Sequence, residues 1–345
     1  MVSNYKNHEW IVFLEYLNGF TYKNREKIVK NIYYSRFICK NREKVYNKVM
    51  KKSRIQKIAK LRKRYYEAFK KNGGVVELIN SAEISENVYN SNAIENSTLT
   101  LEETDKILLE IDLDRYISQR EVFEAKNLAR VMEYINNNAK EKELNHEIIL
   151  FLHKMLIANI NDDIAGRFRR GNELVRVGRH IAPIPAEIEE RLINTFSEYL
   201  ATSAKNIVER VARLHLEFEY THPFIDGNGR IGRVINNYLF IKEGYVPINI
   251  KFINRAEYYD AFKEFDANGS IEKMEEIVYK ALLNSYHKRL AYLESKKIMK
   301  LSDYAKQEKI SHSNLLNKAG RQTIEAFLEN DTWKIGVDIV KNKND

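Results

Sequence analysis

The sequence predicts a mostly α-helical protein, and three observations support that fold class. Only 4 prolines and 13 glycines occur in 345 residues, so residues that interrupt helices are few. Apolar residues recur at helical spacing along most of the chain, as in Ile58, Leu61 and Tyr65. The composition, 44% hydrophobic and 30% charged, is typical of a folded globular protein and not of a disordered one.

Residues 1–75 are predicted to form a basic helical region. Between Thr21 and Lys71 the sequence has 19 Lys and Arg residues against 3 Glu, whereas the whole chain has a net charge of +9, so the remainder is net acidic. Such a segment can bind nucleic acid or an acidic partner, or it can be the solvated face of a packed helix; the sequence leaves both open. The pair Gly73-Gly74 predicts the end of this region.

Residues 76–297 are predicted to form the helical core, which begins with a polar helix over about 80–96. Thr100 and Glu103 match a capping box, so the next helix is expected to start at Leu101. Two amphipathic helices follow up to residue 160, and we expect His153, in the second, to be a packed or capping side chain.

A short β-hairpin is predicted between Gly166 and Pro185, where apolar and polar residues alternate between glycines. His180 lies in this hairpin and could face the site, but an exposed hairpin histidine is the preferred interpretation. Two more helices are predicted over about 185–200 and from Ile207 to the residues before His222.

The loop that follows carries the strongest chemical signal. Gly227 and Gly229 flank Asn228, so the backbone can approach a ligand closely. Apolar residues at helical spacing follow at once, which places these glycines at a helix N-terminus, where unpaired amides and the helix dipole favour an anion. The loop therefore predicts an anion-binding site.

Charged residues around this loop indicate a polyphosphate. Arg230 and Arg233 oppose the helix dipole, which is explained if a polyphosphate lies between them and the loop. Asp226 can hold a magnesium ion against such a phosphate. His222 precedes the loop and is a candidate general base. Further along the same helix, Asn236, Asn237 and Tyr238 are candidates to approach a nucleoside.

Residues 298–345 are predicted to form a small helix-turn-helix module with a wing-like end. Two short apolar patterns at helical spacing are followed by strand-like runs around Phe327 and Trp333. DNA binding, docking and dimerisation all remain open for this module.

The loop resembles the signature of the Fic family, His-x-Phe-x-(Asp or Glu)-Gly-Asn-Gly-Arg-x-x-Arg. Every specified position is matched, by His222, Phe224, Asp226, Gly227, Asn228, Gly229, Arg230 and Arg233. Ser91, Glu95 and Asn96 resemble the family's inhibitory motif, (Ser or Thr)-x-x-x-Glu-(Gly or Asn), with Ser91 and Glu95 on one helix face. An inhibitory helix that precedes the core is typical of class II members.

The resemblance covers about residues 76–290 and implies the all-α Fic fold, with the hairpin as a flap that holds a target's backbone by strand addition. It implies transfer of AMP from ATP, with Mg²⁺ or Mn²⁺, to a Ser, Thr or Tyr hydroxyl of a target protein or of the chain itself. His222 would be catalytic and Asp226 would hold the metal. The phosphates would be bound by Gly227, Asn228 and Gly229 at the α-, Arg230 at the β- and Arg233 at the γ-position.

The same resemblance implies regulation. Glu95 paired with Arg233 would keep ATP from its productive pose, and Glu95 could also orient a water that removes AMP from a modified protein. A kinase-like relative is disfavoured, because such members depart from the Gly-Asn-Gly-Arg pattern that this chain retains. The alternative from another class is a nucleic-acid-binding regulator, which would use the basic N-terminal segment and the C-terminal module, with the Fic-like site as a nucleotide sensor.

Cellular context is predicted from a few features. The single cysteine, Cys39, excludes an internal disulfide and is expected in a reducing compartment. The longest early apolar run, from Trp10 to Leu14, is too short for a membrane span or a signal peptide. We therefore expect a cytoplasmic protein without a membrane partner, and a homodimer is left open.

Overall fold

The computed structural model describes residues 22–178, 180–203 and 206–338, with side chains from Lys52 onward. The chain divides into two compact units, residues 1–60 and residues 61–345. Helix α1 (Tyr22–Ile94) is interrupted at Asn72, whose backbone is not helical (φ −135°, ψ 40°). The predicted boundary at Gly73-Gly74 falls directly after this kink, and the predicted three-part division stays a prediction. Cys39 and the basic side chains before Lys52 lie outside the described side chains.

Helix starts in the core follow local capping chemistry. Thr100 and Glu103 form the predicted capping box, with hydrogen bonds in both directions between side chain and backbone. Ser118, Asn145 and Asn206 also accept a backbone N–H three residues ahead. The helices that start after these four caps are α2 (Leu101–Leu108), α3 (Gln119–Asn138), α4 (His146–Ile157) and α6 (Ile207–Thr221).

Helix α7 (Asn228–Lys242) is the centre of the core. Its apolar side chains, including Ile231, Val234 and Ile235, are fully buried against α3, α4 and α6. The remaining helices, α5 (Ile188–Ala201), α8 (Arg255–Asn268) and α9 (Glu272–Leu293), complete the bundle around α6. The predicted all-α core is confirmed. Within the described residues, every helix is too short or too polar to cross a membrane.

The predicted hairpin is present but short. Strands β1 (Arg176–Val177) and β2 (His180–Ile181) pair in antiparallel register, and one further bond, from Ala182 N–H to Val175 O, extends the ladder. Ile181 keeps 70% of its surface exposed. The hairpin therefore presents an apolar side chain to solvent beside the core.

The C-terminal module is a helix-turn-helix with a wing, as predicted. Strands β3 (Lys297–Lys300), β4 (Ala326–Glu329) and β5 (Thr332–Val337) form an antiparallel sheet in the order β3-β5-β4. Helices α10 (Leu301–Gln307) and α11 (His312–Gly320) pack on it through Leu301, Ala305, Leu315, Ala319 and Ala326. The strand β3 that opens the module was not predicted from the sequence.

Candidate functional site

The loop between α6 and α7 is shaped by two left-handed residues. His222 ends α6 at φ 47° and ψ 60°, and Gly227 precedes α7 at φ 83° and ψ 7°. A Cβ atom on Gly227 would lie 3.1 Å from Leu156 and 3.2 Å from Ile157. Glycine is therefore required there both for conformation and for space.

The inside of the loop is held by Asn228 and His153. The Asn228 side chain accepts from the Phe224 N–H at 2.8 Å and donates to the Phe224 carbonyl at 2.9 Å. His153 stacks on the Phe224 ring and accepts the Gly166 N–H at Nδ1, so its Nε2–H donates to the Asp226 carbonyl. His153 is packed, as predicted. The Asn228 side chain maintains the loop shape through its hydrogen bonds to Phe224, and the phosphate contact expected of Asn228 stays a prediction.

His222 is a neutral imidazole at the edge of a cavity. Its Nδ1 lies 3.3 Å from the Glu219 carbonyl, which can only accept, so Nδ1 carries the proton and Nε2 keeps its lone pair. Burial lowers the pKa of His222 to about 4, and the positive charge of Arg169 acts in the same direction. At neutral pH the imidazole is therefore uncharged, with its proton on Nδ1, and Nε2 can accept a second proton.

Arg169, which the sequence analysis did not assign to the site, fixes the backbone of this histidine. Its Nε donates to the His222 carbonyl at 2.8 Å, and its backbone N–H donates to the Pro223 carbonyl at 2.9 Å. The expectation that His180 is exposed is wrong. The His180 side chain is 16% exposed, because its Nε2 donates to the Tyr220 carbonyl and its ring packs on Tyr220.

The end of α1 contacts α7 through Arg233, whose buried guanidinium donates four hydrogen bonds. Arg233 donates to the Ser91 hydroxyl at 2.9 Å, to the Ser91 carbonyl at 2.8 Å and to Glu95 Oε1 at 2.9 Å. A fourth bond joins it to the Tyr258 hydroxyl. The structure therefore brings Ser91, Glu95 and Arg233 together. A Cβ atom on Gly229 would lie 2.2 Å from Glu95 Oε1, so the carboxylate is seated directly against the glycine loop.

Asn96 is the turn that stops α1. It has a left-handed backbone (φ 71°), and its side chain accepts from Arg255 at 2.6 Å. Arg255 also donates to the Ile94 carbonyl, as does the Tyr259 hydroxyl. These contacts satisfy a carbonyl at the helix end and hold Glu95 in position. Arg255 and Tyr259 lie about 160 residues away in sequence, so no local pattern could have indicated them.

Asp226 and Arg230 each pair with one charged side chain of α3 as well as with each other. Asp226 accepts from Arg120 at 2.5 Å and from Arg230 at 3.2 Å, and Glu124 forms an ion pair with each arginine at 3.1 Å. We call these four side chains the pocket ring. Neither Arg120 nor Glu124 was predicted from the sequence, although their i, i+4 spacing on a helix was a usable signal.

A cavity of about 430 Å³ is bordered by these groups. Its lining includes Glu95 and Asn96 from the end of α1, Arg120, Glu121 and Glu124 from α3, and His222, Asp226, Gly227, Asn228, Gly229 and Arg230 from the loop. Asn236, Asn237 and Tyr238 are absent from this lining, and their suggested approach to a nucleoside stays a prediction. All three are buried, and the Asn237 side chain pairs with the backbone of Ile248.

Asp226 is the residue that could hold a divalent metal here. No cluster of three or more metal-ligating side chains exists in the part of the chain that the structure describes. Magnesium commonly uses one or two carboxylates together with phosphate oxygens and water. The Asp226 carboxylate, 31% exposed at the cavity, fits that donor set.

Comparisons with known proteins agree with this geometry. Residues 143–240 match the Fic/DOC family model. A protein adenylyltransferase Fic from Nematostella vectensis is 30% identical over 183 residues, which is 51% of this chain and 42% of that protein. The corresponding protein of Drosophila erecta is 33% identical over 188 residues, 52% of this chain and 36% of that one. The chain thus spans less than half the length of these relatives.

Solved structures match in fold. A Fic domain containing signaling protein from Bacteroides thetaiotaomicron has a TM-score of 0.62 at 22% identity, over 70% of this chain and 99% of that chain. Fic-1 from C. elegans has a TM-score of 0.62 at 22% identity, over 75% and 77%. At this identity the structures establish the shared fold alone.

Proposed function

Because residues 143–240 match the Fic/DOC family model, we propose that the protein is a protein adenylyltransferase. It would transfer AMP from ATP to a Ser, Thr or Tyr hydroxyl of a target protein, or of itself, and release pyrophosphate. The observation that carries this proposal is the shared cavity, which His222, the N-terminus of α7 and Arg230 all border. The relatives from Nematostella vectensis and Drosophila erecta are named protein adenylyltransferase Fic, which supports the same reaction.

His222 acts as the general base in this proposal. The substrate hydroxyl gives its proton to Nε2, its oxygen bonds to the α-phosphorus, and the bond to the leaving pyrophosphate breaks. A buried imidazole that is neutral at pH 7 is suited to this step, since it needs no prior deprotonation. The hydrogen bond from Nδ1–H to the Glu219 carbonyl keeps the required nitrogen free.

The triphosphate would be held by the start of α7. The first amides of a helix have no partner within the helix, and Gly227 and Gly229 let a phosphate approach them. Arg230 and Arg233 would bind the β- and γ-phosphates. Asp226 would hold Mg²⁺ or Mn²⁺, which supplies charge neutralisation at the phosphate oxygens when it is bound.

Glu95 would inhibit this reaction in the resting protein. Its carboxylate bonds to Arg233 and lies against Gly229, so it occupies the space proposed for the γ-phosphate. ATP that cannot reach Arg233 would bind with its α-phosphate misplaced relative to His222. Release of this one carboxylate is therefore expected to activate the enzyme.

The test compares labelling from α-³²P and γ-³²P ATP for wild type, Glu95→Gly and the double variant Glu95→Gly/His222→Ala. One hydrogen bond to a charged group is worth about 1.5–3 kcal/mol, so Glu95→Gly should label protein roughly tenfold to hundredfold faster than wild type. Label is expected from the α-position alone, and the double variant should lose it. Absence of α-label with Glu95→Gly, or label from the γ-position, would refute the proposed reaction.

Removal of AMP from a modified protein is a second activity proposed for the same cavity. The Glu95 side chain is 34% exposed and borders the cavity with His222, so it can hold a water near the phosphate site. Wild type incubated with a target carrying AMP, with Mg²⁺, should then release AMP, and Glu95→Gly should not. A target that keeps all of its AMP would argue against this role.

The nucleic-acid-binding alternative has weaker support. The N–H of Asn330, at the tip of the wing, donates to Glu86 of α1 at 2.7 Å, so the tip is docked on the core. The turn also contains the acidic Asp331. This alternative, together with a cytoplasmic location and a homodimer, stays a prediction.

A further inference from the structure

The pocket ring is a cyclic arrangement of ion pairs between two arginines and two carboxylates. Each arginine contacts both Asp226 and Glu124 at 2.5–3.2 Å, so the charges of the four side chains cancel. Any metal ion that binds Asp226 must therefore compete with a guanidinium that already occupies this carboxylate. Any phosphate that binds Arg230 must likewise compete with two carboxylates.

The members of the ring differ in how freely they can move. The Arg230 side chain is 4% exposed and that of Glu124 is 13% exposed, whereas Arg120 is 58% exposed. Ion pairs of exposed side chains contribute little, because solvent screens them, so Arg120 can leave its partners more readily than a buried cation could. Arg120 is the most exposed member of the ring, followed by Asp226 at 31%.

The charge of the cavity also points to Arg120. The described residues that line the cavity include four carboxylates, at Glu95, Glu121, Glu124 and Asp226, but only two guanidiniums, at Arg120 and Arg230. A triphosphate entering this space would face an excess of negative charge. Because Arg230 is enclosed by the core, Arg120 is the lining cation that can move to meet it.

We propose that Arg120 exchanges partners during nucleotide binding. Without a divalent metal it occupies the Asp226 carboxylate as a counter-ion; when a metal–nucleoside triphosphate enters, it leaves Asp226 to the metal and binds the phosphates. This inference rests on the proposed function, because it assigns a residue to the same nucleotide site. Arg120 is thereby both a competitor of the metal and a ligand of the substrate.

The proposal predicts two effects of opposite sign for Arg120→Ala, made in the Glu95→Gly background. Mn²⁺ alone, titrated by the loss of its free electron paramagnetic resonance signal, should bind several-fold more tightly, since its competitor is gone. Mg²⁺–ATP, measured by calorimetry, should bind roughly tenfold more weakly, since one charge-assisted hydrogen bond of at least ~1.4 kcal/mol is lost. If Arg120 only held Asp226 in position, its removal would weaken the binding of Mn²⁺ as well as that of Mg²⁺–ATP.

Two controls make the outcome decisive. Lys126→Ala removes another cation from α3, one that pairs with Glu110 outside the cavity lining, and should change neither affinity. Arg120→Lys should retain part of the Mg²⁺–ATP affinity. Failure of the Glu95→Gly parent to bind Mg²⁺–ATP would overturn the proposed function itself. If the parent binds, an Arg120→Ala protein that binds Mn²⁺ no more tightly, or Mg²⁺–ATP no more weakly, overturns this inference alone.

Discussion

The protein contains two ionic clusters of similar composition that differ in burial. The pocket ring joins α3 to the loop and is open to a cavity on the side of Arg120. The second, which we call the buried cluster, joins α1 to α9 and to the wing. It consists of Glu83, Glu86, Lys251, Lys288, Arg289 and Glu329, all with side chains no more than 12% exposed.

This difference in burial separates a fixed contact from an exchangeable one. In the buried cluster Lys288 contacts Glu83 at 3.3 Å and Glu329 at 2.6 Å, and solvent cannot replace either partner. Removing one member of such a cluster leaves a buried charge uncompensated. In the pocket ring Arg120 can trade its partners for water or for a ligand. We infer that the buried cluster fixes the helix that presents Glu95, whereas the pocket ring is arranged to respond to substrate.

The largest effect on the rate of AMP transfer is expected from substitution of His222, the proposed general base. His222→Ala in the Glu95→Gly background should reduce AMP transfer by about 10²–10⁴-fold, because general-base catalysis is lost. The thermal unfolding temperature and the affinity for Mg²⁺–ATP should change little. Transfer measured with α-³²P ATP, beside calorimetry, tests this separation of activity from stability.

His312→Ala, at an exposed histidine of α11, is the matched control and should transfer AMP at the parent rate. Since the pKa of His222 lies at about 4, its neutral form dominates above pH 5, and the parent rate should fall as pH drops through 4. Retained transfer by His222→Ala would contradict the assignment of the base.

Lys288→Met should show the opposite behaviour, with a loss of stability and unchanged chemistry. Breaking a buried ion pair costs about 3–5 kcal/mol, because Glu83 and Glu329 lose a shared counter-charge. Denaturant unfolding should reveal this loss. Lys263→Ala removes an exposed lysine paired with Asp260 and should leave the free energy of unfolding almost unchanged, because solvent screens this pair. If Lys288→Met and Lys263→Ala lost the same free energy of unfolding, burial would not distinguish the two kinds of ion pair.

Gly229→Ala tests how closely a ligand must approach the loop. An added methyl group would point to the position of the Glu95 carboxylate, where the γ-phosphate is proposed to lie. In the Glu95→Gly background this methyl group should slow AMP transfer by roughly tenfold to hundredfold through misplacement of the phosphates. Gly74→Ala, where an added Cβ meets no atom within 4 Å, is the control. Unchanged transfer by Gly229→Ala would show that substrate does not approach Gly229.

The smallest effect is expected at Glu219, a buried carboxyl one turn before His222. Burial, and then repulsion from Glu95, raise the pKa of Glu219 to about 8. The folded protein therefore keeps a proton that the unfolded chain releases above about pH 4.5, so stability falls as pH rises from there to 8. In Glu219→Gln this pH dependence should be absent. The difference in unfolding temperature, variant minus wild type, should therefore increase by a few degrees from pH 5 to pH 8. Parallel pH profiles for the two proteins would contradict the raised pKa.

Local features of the chain could be predicted because they depend on neighbouring residues. The capping box at Thr100, the glycine loop before α7 and the i, i+4 spacing of Ser91 and Glu95 each involve a few consecutive positions, although α1 ends at Ile94 and Glu95 lies in the turn after it. The predicted helix-turn-helix and hairpin also follow from short-range spacing. These features were sufficient to indicate a polyphosphate site beside His222.

The sequence by itself therefore determined the helical fold and the chemistry of the loop, because backbone preferences and motif spacing act over one or two turns. Only the tertiary structure decided which groups face one another. It placed Glu95 on Arg233 across 138 residues, turned the Asn228 side chain inward, packed the His180 ring on Tyr220 and set Arg120 on Asp226. The physical reason is that the partner of a charged side chain depends on how remote segments pack, and packing also decides whether water can replace that partner.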